Sequence, residues 1–263
     1  MRMIDISERI TRLTSSSGED EQRIAMVAHE LRYPLVPIRN AAALLKDATH
    51  DQATVRRAAD IIEREAVHMG RLIGDLVDVS RAQLGALELR CKRAPLSELM
   101  ERAIESAQPI AGDHGQRLSL SVSPDPIYLQ MDVLRLCQAL HNVIANARKY
   151  TDEHGHIHVR AQRTGASVSI VVSDTGIGIP VAQLESIFGL FAQGGQAGAV
   201  QAGLGLGLYL ARFIVEAHGG TLTATSAGAN RGSDFTIQLP CEASTAMLPE
   251  PAGEAPADDQ FPA

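Results

Sequence analysis

The stretch that most strongly determines the fold of this chain is Val27-Ala28-His29-Glu30-Leu31-Arg32-Tyr33-Pro34-Leu35. It places His29 beside a carboxylate on a predicted helix, about one turn before a proline. Pro34 has no N–H to donate to the carbonyl of Glu30, so the helix is weakened and can bend just beyond the histidine. This arrangement suits a histidine that acts as a nucleophile, although a single helical histidine is more often a structural residue. The motifs in the rest of the chain indicate whether His29 is a nucleophile or a structural residue.

The apolar residues around this stretch recur at steps of three and four, which predicts two amphipathic helices within residues 21–90. The first stripe comprises Ile24, Val27, Ala28, Leu31, Leu35, Ile38, Ala42 and Leu45, and the second includes Val55, Ile62, Met69, Leu72, Leu76 and Val79. The pattern breaks around residues 47–52, which predicts a short hairpin connection. Because two such helices cannot bury their stripes alone, we expect a homodimeric four-helix bundle. The alternative is a hairpin that packs on its own second domain.

Beyond residue 90 the pattern changes to alternating apolar and polar residues, which predicts strands. The predicted strands are 118–122, 157–160, 168–172, 222–225 and 234–239. Helices are expected near residues 96–111, 133–150 and 206–218, and the last should stop at the following glycine pair. Helices grouped with a mixed sheet predict an α+β chain, in which a two-layer α/β sandwich at residues 91–241 follows the helical hairpin.

The two ends of the chain differ in composition from the rest. Residues 1–20 finish in a polar, turn-prone cluster that offers N-caps to the next helix. Residues 242–263 are rich in Pro, Ala, Glu and Asp and are predicted to be a disordered tail. The N-terminus lacks the apolar core of a signal peptide, and no run of about 18 apolar residues occurs. We therefore expect no membrane insertion.

The overall composition narrows the possible classes of protein. The chain has 263 residues with an apolar share of 45%, which is ordinary for one or two globular domains. Its formal charge of −7 argues against a nucleic-acid-binding protein, which would normally present a basic face. The three cysteines are far apart and odd in number, so they indicate neither a disulfide framework nor a metal site. A reducing cytoplasm is the simplest expected location.

Four further motifs follow the histidine segment. They are His141-Asn142-Val143-Ile144-Ala145-Asn146-Ala147-Arg148-Lys149-Tyr150, Asp174-Thr175-Gly176-Ile177-Gly178-Ile179-Pro180, Phe188-Gly189-Leu190-Phe191 and Gly203-Leu204-Gly205-Leu206-Gly207-Leu208. In this order and spacing the five segments resemble the H, N, G1, F and G2 boxes of two-component sensor histidine kinases. The resemblance extends over roughly residues 21–240. One such box is a weak signal, whereas five in the correct order are a strong one.

The asparagine motif has a direct physical interpretation. Asn142 and Asn146 are one helical turn apart and share a face, with Lys149 and Tyr150 close to the same side. A neutral carboxamide oxygen can bind Mg²⁺ beside phosphates without adding repulsive charge. The resemblance implies that Asn146 is the metal ligand and that Asn142 and Lys149 face the phosphates of ATP.

The glycine motifs predict the remainder of a nucleotide site. Asp174 ends an apolar strand, where its carboxylate can accept a hydrogen bond from the exocyclic amine of adenine, and Gly176 and Gly178 let the backbone approach the ring. An aspartate before glycines is otherwise a common turn former. The second motif leads into a helix near residue 206, whose free N–H groups can receive phosphates. The glycines of this motif are Gly203, Gly205 and Gly207, and Phe188 and Phe191 are expected to anchor the base of the preceding loop.

The resemblance implies ATP-dependent phosphorylation of His29, with Glu30 accepting the proton on its other ring nitrogen. It also implies transfer to an aspartate of a response regulator, which must be a separate protein because the chain has no receiver-like segment. Since only about twenty residues precede the histidine helix, the signal is expected to come from an upstream sensor protein, or the chain is a core of something longer. Two alternatives remain: a phosphotransfer or scaffold protein with a weakened ATP domain, and an ATP-driven clamp or serine kinase with the same nucleotide fold.

Three positions depart from the family pattern. No charged residue lies between Phe191 and Arg212, so the loop before the second glycine motif offers no cation to the γ-phosphate, and ATP is expected to bind loosely. Leu204 stands where a hydroxyl is common. Tyr33, one turn after His29, replaces a small Thr or Asn that by resemblance orients the water attacking the phosphoaspartate. We therefore expect weak phosphatase activity.

Overall fold

The computed structural model describes residues 24–46, 51–111, 115–123, 126–192 and 203–241. The predicted polar segment at the N-terminus, the predicted tail at 242–263 and the glycine-rich loop after Phe191 lie outside the described residues. So does most of the predicted hairpin connection.

The N-terminal part is a helical hairpin. Residues 24–32 form helix α1, a turn follows at residues 33–34, and the chain continues as α2, Leu35–Leu45. The partner helix is α3, Gln52–Gln83, which packs against α2. Two long helices were predicted, and the first is divided at the proline, as the missing N–H of that residue requires. The N–H of Thr54 donates to Asp51 Oδ1 at 2.6 Å, so this aspartate caps α3.

The remaining chain folds into helices and strands in the order that the sequence predicts. The main strands are β2 (Arg117–Val122), β4 (His156–Thr164), β5 (Ser167–Asp174), β6 (Thr221–Thr225) and β7 (Ser233–Pro240), and the helices are α4 (Leu96–Ala111), α5 (Val133–Lys149) and α6 (Gly207–Ala217). Among the described residues five strands form a mixed sheet in the order β2-β4-β5-β7-β6. The pair β2 and β4 is parallel, and the other neighbours are antiparallel. The predicted α+β class is confirmed.

A small second sheet was not predicted. Strands β1 (Lys92–Pro95) and β3 (Tyr128–Met131) pair antiparallel beside the start of α4. Each strand has only four residues, and a proline ends β1, so the alternation that predicts strands is absent from the sequence. The Arg93 guanidinium lies 4.0 Å from the ring centroid of Tyr128, a cation–π contact that joins the two strands.

The helices α4, α5 and α6 cover one face of the large sheet. The inward side chains of β5 show how the sheet prepares a functional site, because Val168, Ile170 and Val172 are fully buried and Asp174 continues the same row. The alternation of the strand therefore directs a carboxylate into the layer between sheet and helices. Two short 3₁₀ turns, Val181–Gln183 and Ser186–Phe188, lie in the segment between β5 and α6.

Candidate functional site

Asp174 is a buried carboxylate held by two hydrogen bonds. The N–H of Gly176 donates to its Oδ1 at 2.8 Å, and the Ser233 hydroxyl donates to its Oδ2 at 2.7 Å. Burial raises the pKa of Asp174, and these two hydrogen bonds partly offset that effect. A fixed acceptor in this position fits an amine donor such as the exocyclic group of adenine.

The two glycines after Asp174 allow close backbone approaches. A Cβ at Gly176 would collide with the carbonyl of Tyr150, at the end of α5. Gly178 has φ +72°, and a Cβ there would collide with the carbonyl of Gly228. This conformation and this crowding both require glycine, so the turn is pressed between α5 and the β6–β7 connection. The N–H of Ile177 also donates to the carbonyl of Tyr150 at 3.1 Å, which ties the turn to the asparagine helix.

The asparagine motif lies along α5 as predicted. The side-chain amide of Asn142 donates to the carbonyl of Gly207 at 3.2 Å, so α5 is joined to the second glycine motif. Lys149 Nζ lies 5.0 Å from the ring centroid of Tyr150, and a Cβ built on Gly203 would be 3.5 Å from the same nitrogen. The structure therefore brings the predicted lysine beside the predicted glycines, although these residues are far apart in sequence.

The second glycine motif is anchored by its leucines. Leu204 and Leu206 are buried at 3% exposure, while Gly205 takes the left-handed conformation at φ +66°. The leucine at position 204, which lacks the common hydroxyl, is thus a core residue of this domain. Leu206 occupies the N-cap of α6 and provides no side-chain acceptor, so the first N–H groups of the helix have no side-chain cap. An anion is the partner that such a helix start accepts best.

The two phenylalanines differ in their roles. Phe188 is buried and meets Phe235 edge to face, with ring centroids 6.4 Å apart. Phe191 is half-buried against the core and has φ +61°, an unusual conformation for a bulky residue. Arg212, the first charge after the neutral segment, pairs with Glu216 at 2.9 Å and with Glu185 at 3.4 Å. Because its charge is paired with these two glutamates, Arg212 does not supply the γ-phosphate cation that the segment after Phe191 lacks.

The histidine segment presents its ring to solvent. His29 and Tyr33 are exposed, and the N–H of Tyr33 donates to the carbonyl of His29 at 3.1 Å. Glu30 points to a different side and is buried, as adjacent helical residues must. No hydrogen bond joins the His29 ring to Glu30 among the described residues, so the proton-accepting role of Glu30 stays a prediction.

Two further histidines, His158 and His218, form specific polar contacts. The N–H of Asp132 donates to His218 Nε2 at 3.0 Å, so the proton is on Nδ1, which donates to the carbonyl of Ile214 at 2.7 Å. His158 Nδ1 lies 2.8 Å from the Ser119 hydroxyl. Within the described ranges no three His, Cys, Asp or Glu side chains are grouped to hold a metal ion.

The residues present fit ATP with Mg²⁺. Asp174 is a buried acceptor, and the two glycines after it form the turn that packs between α5 and the β6–β7 connection. Asn146 contributes a neutral oxygen on the helix that also bears Lys149, which is the donor chemistry that Mg²⁺ prefers. The segment 192–211 contains no charged residue and therefore offers no further cation to the phosphates.

The sequence interpretation missed Ser233 and the Arg148–Gln116 pair. Ser233 lies at the start of β7, next to Asp174 in the sheet register, and only the pairing of β5 with β7 shows that they meet. Gln116 donates to the carbonyls of Arg148 and Thr151 at 3.0 and 2.6 Å and thereby closes the end of α5. A polar residue one position before a strand carries no local signal of such a contact.

Comparison with known proteins gives two domains. The His Kinase A (phospho-acceptor) domain matches residues 20–85, and the histidine kinase-, DNA gyrase B-, and HSP90-like ATPase matches residues 131–243. The alginate biosynthesis sensor protein KinB of Pseudomonas aeruginosa is 33% identical over 220 residues, which are 82% of this chain and 36% of KinB. Two further sensor proteins and a circadian input-output histidine kinase, 30–32% identical, are likewise matched over half of their length or less.

Two solved structures show the same fold. Full-length ShkA in complex with AMPPNP is 28% identical, with a TM-score of 0.60 over 84% of this chain and 46% of ShkA. ThkA in complex with the response regulator protein TrrA is 23% identical, with a TM-score of 0.57 over 91% of this chain and 67% of that one. A phosphoacceptor domain followed by this ATPase domain defines a protein-histidine kinase core. The chain carries the catalytic core of a two-component histidine kinase, and it spans about a quarter to a half of the length of the curated relatives compared above.

Proposed function

We propose that this chain transfers the γ-phosphoryl group of ATP to His29 and then to an aspartate of a separate response regulator. One observation supports this most directly: an exposed histidine on a proline-divided helix occurs in the same chain as a site with the donors and acceptors for ATP. In the first step a ring nitrogen forms a bond to the γ-phosphorus, the bond to the β,γ-bridging oxygen breaks, and ADP leaves.

The residues of the ATP site have distinct proposed roles. Asp174 accepts from adenine, Asn142 and Lys149 face the phosphates, and Asn146 binds Mg²⁺. When bound, Mg²⁺ neutralises part of the phosphate charge. Gly176 and Gly178 admit the base, while Phe191 and the glycines at 203, 205 and 207 shape the phosphate end. Glu30 accepts the proton on the ring nitrogen of His29 that does not attack, and so makes the attacking nitrogen more nucleophilic.

We further propose that the protein is a homodimer. Several apolar side chains of the hairpin are about half exposed, and they lie on both α2 and α3: Leu35, Val36, Val55, Val67, Ile73 and Val77. A second copy can cover such a surface as a four-helix bundle. The response regulator partner is supported by the complex of the structural neighbour ThkA with TrrA.

A cytoplasmic location and an upstream sensor protein belong to the same proposal. Among the described residues no helix is both long and apolar enough to span a membrane, and Cys91, Cys137 and Cys241 form no disulfide bond there. These observations are compatible with a reducing compartment in which both partners are present.

The test is labelling with γ-³²P-ATP, followed by acid treatment. We expect acid-labile label on the wild type and none on His29→Gln, while both bind ATP equally because His29 lies outside the nucleotide site. Acid-stable label would support a serine kinase. A protein that accepts phosphate from a phosphorylated regulator but never labels itself would be the phosphotransfer protein with a weakened ATP domain, an alternative that the neutral 192–211 segment keeps open.

A further inference from the structure

A cluster of cations lies where the helical hairpin is connected to the ATP-binding domain. Helix α3 ends at Gln83 and strand β1 begins at Lys92, so residues 84–91 form the connection. Arg90, Cys91, Lys92 and Arg93 are all exposed, and we call these four residues the basic strip. In sequence, positions 84–96 hold the three cations of the strip and a single carboxylate, Glu88.

The backbone of the basic strip is fixed, while its charges face solvent. The N–H of Arg90 donates to Asp132 Oδ2 at 2.9 Å, and Lys92 and Arg93 pair with β3 in the small sheet. The Arg93 guanidinium lies over the ring of Tyr128, which is also exposed. In the part of the chain that the structure describes, the side chains of Arg90 and Lys92 form no ion pair. The strip therefore presents a positive surface that can accept carboxylates.

The last strand of the domain ends beside the same surface. A Cβ at Gly219 would lie 3.8 Å from Pro240 Cγ, at the end of β7. The preceding residue, His218, accepts a hydrogen bond from the N–H of Asp132 at 3.0 Å, and Asp132 in turn holds Arg90. These contacts connect residues that are far apart in sequence. The chain therefore leaves β7 at the end of the domain that carries the basic strip.

The chain that follows β7 has the opposite charge. Residues 242–263 contain no Lys, Arg or His, and their carboxylates are Glu242, Glu250, Glu254, Asp258 and Asp259. This acidic segment accounts for most of the formal charge of −7. An extended chain spans up to about 3.6 Å per residue, so even about ten residues can reach roughly 35 Å. The acidic segment thus begins close to the basic strip and is long enough to cover it.

Charge and attachment together determine how such a contact behaves. A single exposed ion pair contributes little, so one carboxylate alone would not stay on the strip. Several carboxylates can act on the three neighbouring cations, and attachment to β7 keeps their effective concentration high. Because the strip faces water, salt screens the contact, and the Debye length falls from about 10 Å at 0.1 M to about 3 Å at 1 M. We therefore expect a contact that forms at low salt and is lost at high salt.

We propose that the acidic segment 242–263 docks on the basic strip of its own chain and so covers the connection between the helical hairpin and the ATP-binding domain. The proposal concerns charged side chains that have no role in the nucleotide site, and it does not depend on the proposed kinase activity. It implies that an acidic partner protein reaches the basic strip only by displacing the segment.

The experiment uses Cys91 as a reporter, because its exposed thiol lies within the basic strip. The probe is N-ethylmaleimide, an uncharged thiol reagent, and mass spectrometry follows the alkylation of Cys91, with the half-buried Cys137 on α5 as the internal reference. The test variant of the full chain neutralises carboxylates of the acidic segment by Glu250→Gln, Glu254→Gln, Asp258→Asn and Asp259→Asn. The matched control makes the same change in charge near the N-terminus by Asp5→Asn, Glu8→Gln, Glu19→Gln and Asp20→Asn.

Docking should slow the alkylation of Cys91, and its loss should speed it. At low salt we expect the test variant to react about threefold or more faster than the wild type, and the control variant to react at the wild-type rate. Raising sodium chloride from about 50 mM to about 500 mM should speed the reaction of the wild type but not that of the test variant. A synthetic peptide of residues 242–263, added to the test variant, should slow the reaction again, whereas the same peptide with its carboxylates neutralised should not.

Three results would overturn the proposal. Equal rates for the wild type and both variants at low salt would show that the acidic segment does not cover the strip. Protection of Cys91 that increases with protein concentration would place the segment on another molecule. Protection that requires added phosphatidylglycerol vesicles, and is equal in all three proteins, would make an anionic membrane the occupant of the strip.

Discussion

At the residue scale, Asp174 shows how a strand produces a binding group. The row of inward-facing side chains on β5 extends from Val172 to Asp174. The Asp174 carboxylate is held by hydrogen bonds from Gly176 and Ser233, and not by an ion pair. Because its hydrogen bonds come from neutral donors, the carboxylate can still accept from a further neutral donor. The raised pKa of Asp174, caused by burial, agrees with a group kept out of bulk water.

We expect Asp174→Ala to reduce ATP affinity about tenfold or more, since a hydrogen bond to a charged group is lost. Autophosphorylation should fall to background, while His29 should still accept phosphate from a phosphorylated regulator, because its helix is intact. Calorimetry with ATP and labelling from both directions provide the measurements, with Asp60→Ala, an exposed aspartate on α3, as the control. Self-labelling of Asp174→Ala at the normal rate would contradict the adenine role.

Tyr33 leads to a second prediction at this scale. The residue is exposed, and it lies one turn after His29. Its ring is bulkier than the small polar side chain that the resemblance implies at this position. Tyr33→Thr should therefore speed the loss of label from a purified phosphorylated regulator by several-fold, with autophosphorylation unchanged. Equally fast loss with the wild-type protein would show that the tyrosine does not hinder the attacking water. The double variant Tyr33→Thr/His29→Gln separates dephosphorylation from reverse transfer to the histidine.

Some of these site residues could be predicted from the sequence and others could not. Prediction was possible for Asp174, the glycines and Pro34, because the role of each depends on its immediate neighbours in the sequence. Ser233 does not, since its contact with Asp174 depends on the pairing of strands that are 59 residues apart along the chain. The exposed position of His29 follows from helix geometry, whereas the burial of Glu30 depends on what packs beside it.

At the element scale, the second glycine motif differs from a charged phosphate loop. Its leucines pack into the core, and Gly203 and Gly207 lie near Lys149 and Asn142, respectively. The motif itself has no charged side chain. Arg212, the next charged residue along the chain, donates hydrogen bonds to Glu216 and Glu185. The motif can therefore offer backbone N–H groups to phosphates, but it has no charged side chain to neutralise them.

From this we expect ATP binding to depend strongly on Mg²⁺ and on Lys149. Removing either should weaken affinity about tenfold or more, because fewer cations remain to offset the phosphate charge. Calorimetry on the wild type and Lys149→Ala, each with and without Mg²⁺, gives the comparison, and Lys92→Ala, a cation on β1, serves as the control. Affinity that stayed high in Lys149→Ala without the metal would refute the expectation.

Element boundaries were predictable where a single period dominates. The helix predicted at 96–111 has those limits, and the five strands of the large sheet occur where alternation predicts them. The pair β1 and β3 escaped prediction because four residues are too few for a period to show. The division of the first helix was foreseen from one proline, which acts on the backbone directly.

At the scale of the whole molecule, a row of polar contacts between α3 and α5 could not be predicted from sequence. We call it the interdomain row, and we say that it opens when the two helices separate. Its members are Arg71, Asp75, Asp78, Arg135, Gln138 and His141. Each of its residues reads as an ordinary polar position on an amphipathic helix, and the partners are 57 to 70 residues apart. Only the packing of α3 beside α5 converts two solvated faces into one contact. The two predicted domains are therefore related by side chains whose purpose no local pattern reveals.

His141 makes this contact sensitive to pH. Burial, followed by the nearby charges of Arg71 on α3 and Arg148 on α5, lowers its pKa below the ordinary value, so in the closed row the neutral ring accepts from Arg71. When the row opens, the pKa returns toward about 6.5. The open state then binds a proton more readily than the closed one, and acidification from neutral pH through about 6.5 favours opening. Asp75 acts in the opposite sense, since burial raises its pKa and its protonation favours closure, but only as pH falls through that raised pKa.

We therefore expect the radius of gyration of the wild-type protein to increase between about pH 7.5 and about pH 6, because His141 takes up its proton there in the open state. His141→Gln retains a side-chain acceptor for Arg71 but cannot titrate, so its radius of gyration should stay constant over the same range. Scattering is the appropriate measurement, since it reports the separation of the domains and not the rate of phosphoryl transfer. An equal expansion of both proteins would place the pH response in some other group, whereas expansion in the wild type alone would identify His141 as the proton acceptor that opens the row.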